Sequence, residues 1–214
     1  ATHTDVVAVI DGDEPMTYQK LHTNAAGTAR MLLQMGVGKG DAVAVFMPNC
    51  YQVIELHFAA SLLGAMVVNV NTHLVERELA HILGASRPKA VIGCVSLQQH
   101  LLSALATLDS AGPRPESVLW MRSSDAVPEV TLPSQSSDLY TRHLSLAAAD
   151  VDALRAGPLP SLALDASDGY QLYFTSGTTG FPKGVVLSQG VVCTHATGAV
   201  VEMRLNIHDV WGHY

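Results

Sequence analysis

Apolar residues along the chain fall into short continuous runs, separated by segments in which apolar positions recur every three or four residues. Ala42–Met47, Ala65–Val70 and Lys89–Val95 are the clearest runs. Uninterrupted runs bounded by turn chemistry, such as Pro48-Asn49, predict strands buried on both faces. Before the first run, Tyr18–Met35 places Leu21, Ala25, Ala29, Leu32 and Leu33 on one helical face, with Thr17 as N-cap and Gly36 as terminator. Further helices are predicted at Tyr51–Leu63, Val75–Leu83 and Leu97–Leu108, and further strands at Val6–Ile10 and Ser117–Met121. Glu76 and Glu78 open the third of these helices, where the dipole favours negative charge. Asp11-Gly12-Asp13-Glu14-Pro15 reads as a turn after the first strand. This alternation predicts an α/β fold: a layered, mainly parallel sheet with flanking helices, its centre formed by the three strong runs.

Three blocks follow from the same pattern. Residues 1–121 read as a first α/β subdomain. Arg122–Asp168 is rich in Ser, Pro and Asp and weakly periodic except near Leu139–Ala149, which predicts a surface excursion and linker (122–168) carrying one marginal helix. Residues 169–214 read as the start of a second α/β subdomain. It comprises strand Gly169–Phe174, a Gly/Thr turn, strand Gly184–Leu187, a helix from Gln189 to Arg204, and another strand beginning at Asp209-Val210-Trp211.

Composition narrows the class. With 48% hydrophobic and 14% charged residues over 214 positions, the chain is neither disordered nor a coiled coil. A net charge of −7 with no basic run excludes recruitment of nucleic acid by phosphate neutralisation. The three cysteines, Cys50, Cys94 and Cys193, form no C-x-x-C pair, so they read as small buried hydrophobes in a reducing, cytoplasmic compartment. The ten histidines show no ligand spacing, and no metal-ligand set is assigned. The uncharged stretch between Glu55 and Glu76 has the length of a spanning helix, but His57, Asn69, Asn71 and His73 interrupt it and Gly64 splits it. It reads as a buried helix followed by a buried strand, so no membrane span is expected. The amino terminus lacks a signal-peptide pattern and a starting Met, as expected of an excised or processed piece.

The chemistry concentrates in Tyr173-Phe174-Thr175-Ser176-Gly177-Thr178-Thr179-Gly180-Phe181-Pro182-Lys183-Gly184, a tight loop between two predicted strands. Gly177, Gly180 and Gly184 allow backbone conformations closed to other residues and a close approach to a ligand. Thr175, Ser176, Thr178 and Thr179 offer four hydroxyls, and Lys183 a positive charge. Amides, hydroxyls and an ammonium converging on one point suit a polyphosphate. A standard P-loop is excluded, because Lys183 follows Pro182 and precedes Gly184, without the metal-binding Ser/Thr.

This string resembles the phosphate-binding loop of the adenylate-forming (AMP-binding) enzymes: acyl-CoA synthetases, aryl-CoA ligases such as 4-coumarate–CoA ligase, luciferases and peptide-synthetase adenylation domains. Met47-Pro48-Asn49-Cys50, Phe58–Ala65, Val68-Asn69-Val70-Asn71-Thr72, Glu78-Leu79 and Ser86-Arg87-Pro88-Lys89 extend the likeness over nearly the whole chain except Arg122–Asp168. The resemblance implies that a carboxylate attacks the α-phosphate of ATP with Mg²⁺ present, giving an acyl-adenylate and pyrophosphate. A thiol, most often that of coenzyme A and otherwise that of a carrier protein, then takes the acyl group. On this likeness Thr175, Ser176, Gly177, Thr178, Thr179, Gly180 and Lys183 bind the phosphates, and Lys183 is the candidate catalytic residue, stabilising departing pyrophosphate. Two departures stand out. Gln189 replaces the His usual after Leu187-Ser188, and Asp209–Tyr214 does not spell the family's Pro-x-x-His segment.

The family's adenine, ribose and catalytic-lysine segments lie downstream of anything present here, so the chain resembles the N-terminal portion of such a ligase. Acting alone, it is expected to be inactive. A non-catalytic module that keeps only the nucleotide- or phosphate-binding loop is the alternative. The acid substrate is not legible, and a peroxisomal location stays an alternative because that signal is read at a protein's true C-terminus.

Overall fold

The computed structural model describes residues 5–108, 114–121, 158–175, 181–206 and 209–212. An antiparallel ribbon of β1 (Val7–Asp11) and β2 (Glu14–Thr17) leads directly into α1 (Tyr18–Gln34). The ribbon turns at Gly12, whose φ of 58° lies in the left-handed region. Thr17 caps α1, its hydroxyl accepting from the Lys20 amide at 3.2 Å. Then follow β3 (Ala42–Phe46), α2 (Tyr51–Leu63), β4 (Met66–Asn69), α3 (Glu76–Ser86), β5 (Ala90–Cys94), a single 3₁₀ turn at Val95–Leu97, α4 (Gln98–Leu108) and β6 (Ser117–Met121). Later in the chain come β7 (Gly169–Thr175), β8 (Lys183–Ser188) and α5 (Gln189–Glu202).

The six strands β3 to β8 form one sheet in the order β6-β5-β3-β4-β7-β8. All neighbours pair in parallel except β7 and β8, which pair antiparallel at the edge. The α/β architecture with a mainly parallel sheet is therefore the one expected. β5, β3 and β4 occupy the interior of the sheet. β7 pairs with β4, so the strands from Gly169 onward extend the sheet of the earlier ones.

Side-chain alternation divides the core in two. On one face Val43, Val45, Val67 and Ile92 meet Ala29 and Leu32 of α1 and Leu56, Ala59, Ala60 and Leu63 of α2. On the other, Ala44, Phe46, Val68 and Val91 meet Leu79, Ile82 and Leu83 of α3 and Leu101, Ala104 and Leu105 of α4. All five residues of β3 and of β5 are buried, which is why they read as unbroken apolar runs. Each fully buried Leu or Ile contributes roughly 1.5–3 kcal/mol relative to exposure.

Several expectations are corrected. Glu14–Thr17 is a strand rather than the end of a turn; Pro15 is tolerated because the ribbon is two-stranded and leaves an open edge. Leu33 is exposed, since the packed stripe of α1 runs through Leu21, Ala25, Ala29 and Leu32. α3 continues to Ser86 and ends at Arg87, which adopts a φ of 45°. Asp209–Gly212 is irregular and exposed; a strand needs a pairing partner, and none is found among the described residues. Cys94 is buried, but Cys50 is only partly so and Cys193 is exposed on α5. The predicted helix near Leu139–Ala149 lies outside the described residues. The stretch from Glu55 to Glu76 is a helix and a strand separated at Gly64, whose φ is 64°. Among the described residues no helix is long and apolar enough to cross a membrane.

Candidate functional site

The five parallel strands end at one edge of the sheet, where loops carry chains across from strand to helix. In open α/β sheets this carboxyl edge is where ligands bind. Thr175 is the last residue of β7 at that edge, and Lys183 is the first residue of β8. The two lie directly opposite each other in the antiparallel register. The hairpin thus holds the two ends of the Thr/Gly loop together. Both residues are exposed, and no ion pair among the described residues involves Lys183. Ser176, Gly177, Thr178, Thr179 and Gly180 lie outside the described residues.

Gly184 has a different reason from the one expected. Its φ is not in the left-handed region, but a Cβ there would sit 3.1 Å from Leu172 Cδ1 and 3.2 Å from Phe174 Cζ. Leu172 and Phe174 pack against the core on the α3–α4 face. A side chain at 184 would be tight against these two side-chain tips, which would have to shift by a few tenths of an ångström to admit it.

The switch point of the sheet lies between β3 and β5, because α2 after β3 and α4 after β5 cover opposite faces. The Thr/Gly loop is not there. Its two described ends, Thr175 and Lys183, lie past β4, at the β7–β8 end of the same edge. The strings Met47-Pro48-Asn49-Cys50 and Val70-Asn71-Thr72 leave β3 and β4 at this edge as well, so three of the segments singled out in the sequence converge on one rim.

Neighbouring polar groups were not anticipated. The Asn69 amide, at the end of β4, meets His57 Nε2 with its oxygen at 3.1 Å and its nitrogen at 3.0 Å. The Tyr170 ring lies 6.2 Å from that imidazole. Burial drives the His57 pKa below its ordinary value, with the Asn69 hydrogen bond opposing the shift. Burial likewise raises the Tyr170 phenol. On α3, His81 and Arg77 reach Phe181 and Pro182 at the loop exit. Neither cluster has a local sequence signature, since the partners stand 12 and about 100 positions apart. An open hollow of about 560 Å³ lies beside α3, lined among the described residues by Val75, Glu76, Arg77, Ala80 and Thr107; neither Thr175 nor Lys183 is among them.

Fold and loop together define an α/β protein with a glycine- and hydroxyl-rich loop at the carboxyl edge of a parallel sheet. The chain belongs to the AMP-binding enzyme family, whose model it matches over residues 1–214. It is 30% identical over 201 residues to the acyl-CoA ligase sidI of Aspergillus fumigatus, covering 91% of this chain and 32% of that protein. It is 32% identical over 174 residues to the long-chain-fatty-acid–CoA ligase FadD13 of Mycobacterium tuberculosis, covering 81% and 30%. With 4-coumarate–CoA ligase 2 of rice, Oryza sativa subsp. japonica, it shares 32% identity over 184 residues, 84% of this chain and 30% of that protein. The chain thus spans about a third of the length of these relatives. Among solved structures, the N-terminal domain of FACL13 from Mycobacterium tuberculosis matches with a TM-score of 0.60 at 28% identity, over 83% of this chain and 38% of that one. A benzoate CoA ligase from Burkholderia xenovorans shares the fold, with a TM-score of 0.66 at 21% identity over 92% and 34%.

Proposed function

We propose that this chain is the front portion of an acid–thiol ligase, which activates a carboxylic acid as an acyl-adenylate at the expense of ATP and passes the acyl group to a thiol, most often that of coenzyme A. The observation that carries the reading is the pairing of Thr175 with Lys183 at the carboxyl edge, in a chain whose relatives carry acyl-CoA ligase names. An exposed hydroxyl and an ammonium without a carboxylate partner among the described residues fit an anionic ligand. In this reading Thr175, Ser176, Gly177, Thr178, Thr179 and Gly180 donate hydrogen bonds to the β- and γ-phosphates. Lys183 neutralises charge as it grows on departing pyrophosphate, a contribution realised mainly in the transition state. Mg²⁺ accompanies the nucleotide through phosphate oxygens, with no ligand in this chain assigned to it. The thiol of a carrier protein is the other acceptor of the same chemistry.

The test is a pyrophosphate-exchange assay with ATP, Mg²⁺ and a panel of aliphatic and aryl acids, run on a full-length ligase carrying these 214 residues. Acid-dependent exchange, with thioester appearing only once coenzyme A or a carrier protein is added, supports the reading. Nucleotide binding without exchange for any acid contradicts it and favours a non-catalytic phosphate-binding module.

A further inference from the structure

Residues of α3 take hold of the exit of the Thr/Gly loop. The chain leaving β4 at the carboxyl edge enters α3 on the face beside β7 and β8, so the first turns of α3 lie near the loop. Arg77 and His81 are four residues apart and share one side of that helix. His81 Nε2 lies 3.1 Å from the Pro182 carbonyl oxygen. A carbonyl only accepts, so Nε2 carries the proton. The same imidazole stacks on the Phe181 ring, with centroids 4.5 Å apart and planes inclined by 23°. The Arg77 guanidinium carbon lies 4.8 Å from the centroid of that ring, within cation–π range. Phe181 is still 42% exposed, and Arg77 and His81 both contact its ring.

Pro182 has a fixed φ and no amide proton. Capture of its carbonyl therefore sets the direction in which the chain enters Lys183. From Lys183 onward the backbone is held by pairing with β7. Lys183 stands between two constraints, one from α3 and one from the strand.

We propose that Arg77, His81 and Phe181 form a latch that positions Lys183 for a polyphosphate, with His81 acting as a positioning residue that does not itself touch the phosphate. The proposal rests on the reading of the loop as a phosphate site. Its physical basis is preorganisation: a loop exit fixed before the ligand arrives removes an ordering cost from binding.

The experiment uses the ¹⁵N-labelled chain with magnesium tripolyphosphate as probe, combining titration calorimetry with NMR. His81→Phe keeps the ring stack and deletes the donor. His81→Gln keeps a donor and deletes the stack. Phe181→Leu removes the ring from both partners. The wild type is expected to show His81 as an Nε2–H species with slow proton exchange. His81→Phe and Phe181→Leu should each weaken tripolyphosphate binding about three- to tenfold, as loss of one or two modest contacts allows. Exchange at the Lys183 amide should accelerate while the far-UV spectrum stays unchanged, and His81→Gln should recover part of the affinity. Variants that bind as tightly as the wild type, or a His81 without a proton on Nε2, overturn the latch. A wild type that binds no tripolyphosphate overturns the phosphate reading and the latch's purpose together; an intact, slowly exchanging Nε2–H then shows that the failure lies in the phosphate reading and not in the contact.

Discussion

Replacing Lys183 by Ala is expected to separate the two chemical steps proposed for a full-length ligase carrying this chain. Lys183 is exposed at the first position of an edge strand, so its removal should change folding stability by no more than about 0.5 kcal/mol. The electrostatic effect is larger. A unit charge about 4 Å from a phosphate oxygen contributes ~1 kcal/mol in bulk water and ~4 kcal/mol at the effective dielectric of a protein surface. The loop exit lies between these limits, and no carboxylate among the described residues neutralises the ammonium. About 3 kcal/mol of lost transition-state stabilisation corresponds to a rate loss on the order of 10². The assay measures the half-reactions separately in a full-length ligase carrying these residues: pyrophosphate exchange for adenylate formation, and thioester release from a pre-made acyl-adenylate for the transfer. Adenylate formation should fall by ~10²–10³, acid binding should change little, and transfer should be nearly untouched because pyrophosphate has already left. Lys183→Arg should recover part of the rate. Equal loss in both half-reactions would refute the reasoning and make the lysine structural or common to both steps.

Three further outcomes are expected. Gly64→Ala should destabilise the fold by about 1–2 kcal/mol in urea melts, because a left-handed non-glycine residue is strained and the new Cβ would meet Leu164 Cδ2 at 2.8 Å and Lys39 Cγ at 3.1 Å; an unchanged midpoint would show that the segment around Leu164 yields freely. The depressed pKa of His57 means that the unfolded chain binds the additional proton as pH falls below about 6.5. Stability from this group is present above that pH and is lost as pH falls toward the folded value, with a slope of at most about 1.4 kcal/mol per pH unit. Melts of wild type and His57→Gln across pH 5–8 check the sign, the variant being flatter. Finally, this chain, spanning about a third of its relatives, should not complete acyl-CoA synthesis with ATP, Mg²⁺ and coenzyme A; multiple turnover with any acid would contradict that.

The central strands were legible because burial on both faces leaves no polar position to interrupt them. Their ends were less so, for Met47, Ala65 and Val70 are buried although they lie outside the ladders of β3 and β4. Burial extends past hydrogen bonding there, and a hydrophobic run reports only burial. β2 was hidden by Asp13-Glu14-Pro15, whose turn chemistry describes a short exposed ribbon equally well. The order of Gly, Thr and Lys singled out residues 173–184, and the antiparallel pairing of β7 with β8 matches the strands drawn on either side of them. Two features had no local trace. Gly184 faces the Leu172 and Phe174 side chains closely across the hairpin, and the Arg77–His81 grip on Phe181 depends on where the sheet places α3. Both are products of tertiary packing.

The most direct test of the account maps magnesium pyrophosphate onto the chain by NMR, residue by residue. The account predicts saturable binding, with the largest shift changes at Thr175, Lys183 and the loop they close, and a loss of that binding in Lys183→Ala. Changes centred elsewhere, such as the hollow beside Val75 and Thr107, or binding indifferent to Lys183, would contradict it.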